Sequence, residues 1–469
     1  MRAVATENTH FGAARIREMT AHCRSFFFIG VGGVNMSSLA LITKRRGYRV
    51  GGSDRTESAV TRRLACEGIE VFYSHEAAHI DTYDAVVYTV AISPDNPEYV
   101  RAKERGIPLI SRADYLGYLM TDYKNRVGLS GMHGKSTTTS MCAEVFMRAD
   151  TDPTVLSGAA MRSMGGAYRI GGTEHFIFEA CEYMDSFLDF YPSIAVLLNI
   201  EMDHVDYFKS MAHIERSFRA FAEKTGKDGF VVANGDDAHI RSALAGYAGR
   251  VIWFSGTDAN ADFYATDVET VNGCPHFDIV AFGKPFCRVS LKVTGQHNIY
   301  NALATAAAAH LCGVDGEDVA RGLASFSGAQ RRMEYKGNFQ GAAVYDDYGH
   351  HPTEVKTTLE GAAAMGHRRT VCVFQSHTYS RTVGLFEEFC GAFGAADEVI
   401  LADIYAAREI DTGEVSGKKL AEALPNGKYV GDMDAIVAYL RQTLAEGDLL
   451  IVMGAGDIYK IFEKMGLEE

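Results

Sequence analysis

Short apolar runs alternate along the chain with stretches whose apolar residues recur at helical spacing. Such runs predict strands at residues 25–31, 49–51, 84–91, 127–129, 176–178, 194–199, 229–233, 343–346, 370–374, 398–402 and 449–453. Helical spacing covers residues 36–47, 213–225 and the Ala-rich segment 298–311. Because strands that alternate with helices form βαβ units, the pattern predicts an α/β protein with mostly parallel sheets.

Three blocks of this pattern follow one another. A polar stretch at residues 121–126 and a turn at Ser327-Gly328 separate them, and the length of 469 residues suits three domains. We expect Rossmann-like domains at 1–122 and 329–469, and a P-loop ATPase-like domain at 123–328. Alternation without helical signals, at 277–280 and 288–291, predicts an antiparallel side sheet.

Composition narrows the class of protein. The net charge is −14, so no basic field is present to hold nucleic acid or an anionic membrane. The longest apolar runs are too short to cross a bilayer, and residues 1–23 lack a signal-peptide core. Nine scattered cysteines without a CxxC pair indicate reduced thiols. We expect a cytoplasmic protein, a monomer or weak homodimer, with no nucleic-acid partner and no membrane insertion.

A glycine-rich turn follows the first strand, with glycines at 30, 32 and 33. Asn35 stands where a dinucleotide fingerprint has its third glycine, and Asp54 follows the second strand. Such a turn lets a diphosphate approach the helix N-terminus. By itself it does not distinguish NAD from a UDP-sugar, or either from an empty turn.

A second glycine-rich segment, GMHGKST, follows the strand at 127–129 and opens a helix. It is a shortened P-loop, because Leu129 stands where the full consensus has its first glycine. Backbone amides would hold phosphates, Lys135 would reach the β- and γ-phosphates, and Ser136 would ligate Mg²⁺. The segment predicts ATP binding.

Acidic residues follow two strands that we expect to lie beside the P-loop. Ligands bind at the carboxyl edge of a parallel sheet, and carboxylates there could hold Mg²⁺. Any one of these residues could equally be a solvated loop acid. The acids are Glu179, Glu182 and Asp185 after the first strand, and Glu201, Asp203 and Asp206 after the second, where His204 adds an imidazole.

Polar clusters also follow the strands of the third block. The segments 346–354, 375–382 and 454–457 carry basic and aromatic groups that suit a small zwitterion such as an amino acid. The pair His350-His351 beside two aspartates suggests a transition-metal site, but HxxxH and HExxH spacings are absent. Earlier in the chain, GQHNIYNA opens an Ala-rich helix whose amides could read an adenine edge or merely cap the helix.

Together the motifs resemble the cytoplasmic Mur ligases of peptidoglycan synthesis, over about residues 27–458 and in the same order. DDYGHHPTE, HTYSRT and MGAGDI resemble most specifically the alanine-adding members, whereas a murein tripeptide recycling ligase shares only the first half. The motifs depart from the family at Asn35, Met132 and Ser376, where Gly, Thr and Pro are usual. None of these changes removes a charged group or a proposed metal ligand.

The resemblance implies ATP- and Mg²⁺-dependent ligation of L-alanine to UDP-N-acetylmuramate through an acyl phosphate. For the UDP-sugar it implies Gly30, Gly32, Gly33, Ser53, Asp54, His75 and Arg112. For ATP it implies Gly131, Met132, His133, Gly134, Lys135, Ser136, Thr137, His297, Asn298, Asn301 and Arg332.

For catalysis the resemblance implies Lys135 at the transferring phosphoryl group, Ser136 and Glu182 at one Mg²⁺ and His204 at a second, with Glu179 behind them. It also implies that Arg381 holds the alanine carboxylate while Tyr348, His350 and His377 orient the amine. Ligands on three domains imply closure about hinges near 121–126 and 327–328.

The alternatives are a recycling ligase, an ATP sensor without ligase activity, and an NAD oxidoreductase that uses only the first motif.

Overall fold

Three parallel-rich sheets with helices packed against them form the chain, as the computed structural model shows for residues 6–205, 207–407 and 409–467. This confirms the predicted three-domain α/β class. Among the described residues, no helix is both long enough and apolar enough to cross a membrane.

The first sheet is parallel throughout, with strand order β3-β2-β1-β4-β5. Its central strand is apolar and fully buried, which is typical of a sheet covered on both faces. The strands are β1 Ser25–Ile29, β2 Arg49–Ser53, β3 Glu70–Phe72, β4 Ala85–Tyr88 and β5 Leu109–Ser111. The helices are α1 Ala13–Met19, α2 Val34–Arg45, α3 Ala59–Cys66, α4 Pro97–Arg105 and α5 Arg112–Met120, with a 3₁₀ turn at Ala77–Ile80.

The second sheet has ten strands in the order β15-β14-β13-β12-β11-β10-β6-β9-β7-β8. Its strands are β6 Asn125–Ser130, β7 Thr154–Met161, β8 Gly166–Arg169, β9 His175–Glu179, β10 Ile194–Leu197, β11 Phe230–Asn234, β12 Arg250–Ser255, β13 Phe263–Val271, β14 Cys274–Ala281 and β15 Lys284–Ser290. Its helices are α6 Lys135–Arg148, α7 Met211–Glu223, α8 Ala238–Ala243, α9 His297–Leu311 and α10 Gly316–Ser325, with 3₁₀ turns at Arg162–Met164 and Tyr183–Asp189.

The third sheet has the order β16-β17-β21-β18-β19-β20, and only β16 is antiparallel. Its strands are β16 Glu334–Phe339, β17 Ala342–Asp347, β18 Arg369–Phe374, β19 Glu398–Ala402, β20 Gly427–Gly431 and β21 Asp448–Met453. Its helices are α11 Pro352–Ala363, α12 Tyr379–Gly384, α13 Phe386–Cys390, α14 Gly417–Ala423, α15 Met433–Thr443 and α16 Ile461–Met465, with a 3₁₀ turn at Ile458–Lys460.

Two details differ from the sequence prediction. The prediction of a separate side sheet is wrong. β13 pairs in parallel with β12, so the antiparallel strands β14 and β15 extend the second sheet. The polar stretch at 121–126 is not wholly a linker. Asn125 and Arg126 already belong to β6, and Arg126 donates to the carbonyl oxygens of Tyr123 and Tyr191.

Candidate active site

The P-loop connects β6 to α6, and its conformation requires glycine. Gly131 has φ 147° and Gly134 has φ 78°, both in the region that side-chain-bearing residues rarely adopt. Lys135 donates to the carbonyl oxygen of Met132 over 3.1 Å, and its Nζ lies 3.0 Å from Oε2 of Glu182. Burial favours the neutral amine, but Glu182 outweighs it and raises the pKa of Lys135. The lysine is therefore charged and folded back onto its own loop.

Ser136 contacts Glu179 and not Glu182, with which it was grouped from the sequence. Its hydroxyl donates to Oε2 of Glu179 over 2.8 Å, and the Gly158 amide donates to the same oxygen over 2.8 Å. The reason lies in the sheet: Glu179 ends β9, which pairs with β6 directly below the P-loop. Glu182 lies three residues further on, where the longer side chain of Lys135 reaches it.

Oxygen donors therefore surround the start of α6. Oε1 of Glu182 lies 3.2 Å from Nε2 of His204, and the Glu182 side chain is buried. A serine hydroxyl and two carboxylates are the hard ligands that Mg²⁺ prefers, so Ser136, Glu179 and Glu182 fit such an ion. His204 is an additional donor at the edge of this group.

Asp185, another acid of the strand-end clusters, has different partners. Asp185 accepts a hydrogen bond from the Tyr207 hydroxyl over 2.6 Å and another from Ser217. Asp206, also singled out from the sequence, lies outside the described residues.

The loops that carry these donors have strained backbone. Met184 and Asp185 have φ of 53° and 55°, and His204 has φ of 48°. Non-glycine residues in this left-handed region cost free energy and persist where the surroundings hold them. Such strain concentrates at functional sites, which agrees with the position of these three residues beside the P-loop.

A cavity of about 390 Å³ opens beside the P-loop. Its wall includes seven of the residues predicted to bind ATP: His133, Gly134, Thr137, His297, Asn298, Asn301 and Arg332. Asn301 accepts from Thr138 over 3.1 Å and donates to Asn298 over 2.9 Å, so both amides are oriented. Burial lowers the pKa of His297 to about 4, which leaves a neutral ring at pH 7.

The sequence reasoning missed other residues of this wall. Tyr300 donates from its hydroxyl to Asp236 over 2.9 Å, and both residues line the cavity. Asn234 lines it as well. The tyrosine lies within the GQHNIYNA motif, whereas Asn234 ends β11 and Asp236 follows it, so both could have been found from their place at the end of a strand.

His133 of the P-loop bridges the second and third domains. Its ring nitrogens lie 3.3 Å from Glu201 and 3.5 Å from Glu354 of α11. Burial favours the neutral ring, but these two carboxylates raise the pKa of His133 to about 9. Arg332 also contacts Glu354, at 3.4 Å. Glu354 therefore joins the P-loop, the interdomain segment and α11, a role for which the sequence carried no signal.

The cluster predicted to bind the amino acid forms on the third domain. Nε of Arg381 lies 3.0 Å from Asp203, and its NH1 donates to the His377 carbonyl oxygen over 3.2 Å. Nε and NH1 of Arg381 are thus hydrogen-bonded, whereas its NH2 makes no hydrogen bond with any described residue. Burial lowers the pKa of His350 to about 3 and that of His377 to about 4.

Two aromatic residues border this cluster. Nδ1 of His350 lies 3.0 Å from the carbonyl oxygen of Tyr348, and the Tyr348 ring meets the His350 ring edge to face. The His377 ring stacks on Tyr405, with centroids 5.6 Å apart. Tyr405 follows β19 and was not singled out from the sequence. Because Nδ1 of His350 faces a carbonyl oxygen, Nε2 of this neutral ring is left to accept a hydrogen bond from an ammonium group, whereas Nδ1 of His377 already accepts from NH1 of Arg381.

In the first domain, Asp54 folds over the glycine turn. Its Oδ2 accepts from the Gly32 amide over 2.9 Å, and a Cβ at Gly32 would lie only 2.7 Å from that oxygen. Gly30 has φ 82°, and the Gly33 amide donates to its carbonyl oxygen over 3.2 Å. Asp54, which was predicted from the sequence to contact the UDP-sugar, therefore stabilises the conformation of the glycine turn.

Ser53 and His75 share a buried partner, Glu98 of α4. Oε2 of Glu98 accepts from the Ser53 hydroxyl over 2.7 Å and lies 2.8 Å from Nδ1 of His75. Arg112 lies elsewhere, at the wall of a small cavity of about 80 Å³ that also includes Asn35 and Glu179. The structure thus divides the residues predicted for the UDP-sugar between the glycine turn, the Glu98 cluster and this cavity.

Comparisons with known proteins match all three domains. Family models match residues 25–124 (Mur ligase family, catalytic domain), 129–309 (Mur ligase middle domain) and 331–456 (Mur ligase, glutamate ligase domain). A UDP-N-acetylmuramate–L-alanine ligase of Caldanaerobacter subterraneus is 46% identical over 94% of this chain and 97% of its own length. A protein of the same name from Clostridium novyi is 44% identical over 93% of this chain and 96% of its own length.

Solved structures show the same fold. The UDP-N-acetylmuramate-alanine ligase of Thermotoga maritima superposes with a TM-score of 0.77 at 26% identity, over 95% of this chain and 98% of that one. A murein peptide ligase of Psychrobacter arcticus has a TM-score of 0.70 at 22% identity, over 94% and 98% of the two chains, and supports the fold alone.

Proposed function

The chain belongs to the Mur ligase family, and on that premise we propose that it joins L-alanine to the lactoyl carboxylate of UDP-N-acetylmuramate in peptidoglycan synthesis. The reaction consumes ATP and yields UDP-N-acetylmuramoyl-L-alanine, ADP and phosphate. The observation that carries the proposal is the ion pair of Arg381 with Asp203, which brings the basic cluster of the third domain to the strand-end loop beside the P-loop. An amino acid held by the third domain would there meet a phosphorylated carboxylate.

Each domain has one substrate in this proposal. Residues 1–122 hold the UDP-sugar through the glycine turn, the Glu98 cluster and Arg112. Residues 123–328 hold ATP, and residues 329–469 hold L-alanine. ATP dependence and unpaired cysteines favour the cytoplasm as the compartment, and we propose a monomer or weak homodimer.

ATP lies with its adenine in the 390 Å³ cavity and its phosphates on the P-loop amides at the start of α6. Lys135 moves from its loop carbonyls onto the transferring phosphoryl group. Ser136, Glu179 and Glu182 would hold one Mg²⁺, and Glu182 with His204 would hold a second. When bound, these ions neutralise the negative charge that otherwise keeps a carboxylate away from a triphosphate.

The first chemical step forms an acyl phosphate. A lactoyl carboxylate oxygen attacks the γ-phosphorus, and the bond from that phosphorus to the β–γ bridging oxygen breaks to release ADP. Positive charge near the transferred group lowers the barrier, because negative charge concentrates there in the transition state. Lys135 supplies this charge at the P-loop, and its raised pKa keeps it protonated at neutral pH.

The second step forms the amide. The alanine amine attacks the acyl carbon, and the tetrahedral intermediate collapses as phosphate leaves with one former carboxylate oxygen. Arg381 pairs its unengaged NH2 with the alanine carboxylate. Tyr348 and the neutral rings of His350 and His377 orient the amine through hydrogen bonds.

A direct test incubates the purified protein with UDP-N-acetylmuramate, ATP, Mg²⁺ and each of the twenty amino acids. Phosphate release and product mass are followed together. We expect release with L-alanine and a product heavier by one alanine residue. Binding of ATP without release for any amino acid would support an ATP sensor instead. Ligation of a free tripeptide, but not of alanine, would support a recycling ligase.

A further inference from the structure

Three groups that commonly bind transition metals converge between the second and third domains. Nε2 of His133 lies 3.3 Å from Oε2 of Glu201, and Nδ1 of His351 lies 3.8 Å from the same oxygen. One donor atom from each residue falls within 4.8 Å of the other two. An ion at the centre of this group could contact all three after small side-chain movements.

The groups around these side chains already have the arrangement typical of metal-binding histidines. A histidine that binds a metal through one nitrogen usually directs its other nitrogen to a carboxylate or a backbone carbonyl. Nδ1 of His133 faces Glu354 at 3.5 Å, and Nε2 of His351 faces the Met202 carbonyl oxygen at 3.2 Å. The Thr353 hydroxyl orients the carboxylate by donating to Oε2 of Glu201 over 2.6 Å.

We propose that His133, Glu201 and His351 form a zinc-binding site that joins the P-loop to α11. Two imidazoles and one carboxylate suit Zn²⁺, whereas Mg²⁺ prefers an all-oxygen shell. The site is separate from the oxygen donors at Ser136 and Glu179. His133 and Glu201 line the 390 Å³ cavity, which leaves room for a water molecule as the fourth ligand.

The position of the site gives it a consequence for the fold. His133 and Glu201 belong to the second domain, and His351 is the residue that caps α11 of the third. A bound zinc ion would therefore connect the two walls of the cavity. When zinc binds, Nδ1 of His351 would give up the hydrogen bond that it accepts from the Thr353 amide and would bind the metal instead.

The test measures zinc binding by the full-length chain, freed of metal with EDTA, dialysed and held in millimolar Mg²⁺ without nucleotide. Competition with a chromophoric zinc chelator gives the affinity. We expect one zinc ion per chain. His351→Asn should lower the zinc affinity at least tenfold, because it removes one imidazole ligand. Asparagine is chosen because it can still cap α11. Glu201→Gln keeps the shape of the side chain and is expected to weaken binding similarly.

The matched control is His350→Asn, which removes the neighbouring imidazole of the same motif and should leave zinc affinity unchanged. Thermal unfolding of each variant shows whether it is folded. The proposal is overturned if the unsubstituted chain binds no zinc. It is also overturned if His351→Asn binds zinc as tightly as the unsubstituted chain, or if Glu179→Gln rather than Glu201→Gln abolishes binding.

Discussion

Nε of Arg381 lies 3.0 Å from Oδ1 of Asp203, and both side chains are buried where the third domain meets the loop after β10. The guanidinium holds the pKa of the Asp203 carboxyl well below its usual range despite burial. The orientation of the residue proposed to hold alanine is therefore fixed by a carboxylate of the second domain.

Replacing Asp203 by Asn should affect stability and substrate binding together. Removing one partner of a buried ion pair leaves the other charge uncompensated, at a typical cost of about 3–5 kcal/mol. We expect a lower free energy of unfolding and a higher KM for alanine, measured by denaturant titration and phosphate release. Asp95→Asn, at an exposed carboxylate, is the control. An unchanged KM for alanine would show that Asp203 does not position Arg381 for alanine binding.

Lys135→Ala should abolish most of the turnover. In the proposed reaction the lysine supplies charge at the transferring phosphoryl group, and loss of one such stabilising group typically lowers kcat by about 10²–10³. Steady-state phosphate release measures the effect. Lys124→Ala, which removes an exposed lysine paired with Glu174, should retain the kcat of the unsubstituted enzyme. Comparable activity in both variants would contradict the assignment.

The contact between Ser136 and Glu179 predicts that they act on one Mg²⁺. Ser136→Ala and Glu179→Gln should each raise the Mg²⁺ concentration for half-maximal activity by about tenfold or more. The double variant should show less than the product of the two effects, because interacting residues are non-additive. Independent, multiplying effects would show that Ser136 and Glu179 do not act on the same ion.

Much of this arrangement could be predicted from hydrophobic patterning and strand-end reasoning. The buried strands β1, β10 and β21 each contain an uninterrupted apolar run, and the P-loop follows its strand as its motif requires. The resemblance to the Mur ligases assigned His133 and Asn301 to one ligand, and both line one cavity.

What could not be predicted depends on how separate segments meet. Glu98 lies on a helix whose sequence looks like an ordinary amphipathic surface, yet the fold buries it against Ser53 and His75. The exchange of Glu182 for Glu179 at Ser136 follows from the register of β9 against β6, which no spacing along the chain reveals. The pairing of β9 with β6 therefore decides that Glu179, and not Glu182, contacts Ser136.

The pKa of His133, raised to about 9, predicts a pH-dependent term in stability. The folded chain binds this proton more tightly than the unfolded one, whose histidine has a pKa near 6.5. The stabilisation is therefore complete below about pH 6.5 and is lost as the pH rises toward 9, by at most about 1.4 kcal/mol per pH unit. Thermal unfolding in EDTA from pH 7 to 9.5 measures it.

His133→Asn should remove that part of the pH dependence, so the difference between the two unfolding curves should shrink as the pH rises. The depressed pKa values of His350 and His377 act below pH 6.5 and do not enter this window. Curves for the two proteins that stay parallel from pH 7 to 9.5 would show that His133 is not charged in the folded chain.

Arg112→Met should weaken binding of the UDP-sugar. Arg112 lies at the small cavity near Glu179, and its side chain makes no hydrogen bond or ion pair with any described residue, so the guanidinium is available to a substrate anion. A charge-assisted hydrogen bond contributes about 1.5–3 kcal/mol, which corresponds to a KM for UDP-N-acetylmuramate at least tenfold higher. The KM for ATP should change little. Arg105→Met, at an exposed arginine paired with Asp81, is the control.

The central claim is that the enzyme phosphorylates the lactoyl carboxylate before the amine attacks. Its most direct test uses UDP-N-acetylmuramate with ¹⁸O in both carboxylate oxygens, together with ATP, Mg²⁺ and L-alanine, and mass analysis of the phosphate released. We expect one ¹⁸O atom in each phosphate and one in the amide product. Phosphate free of ¹⁸O would mean that water attacks ATP, and would contradict the proposed acyl phosphate.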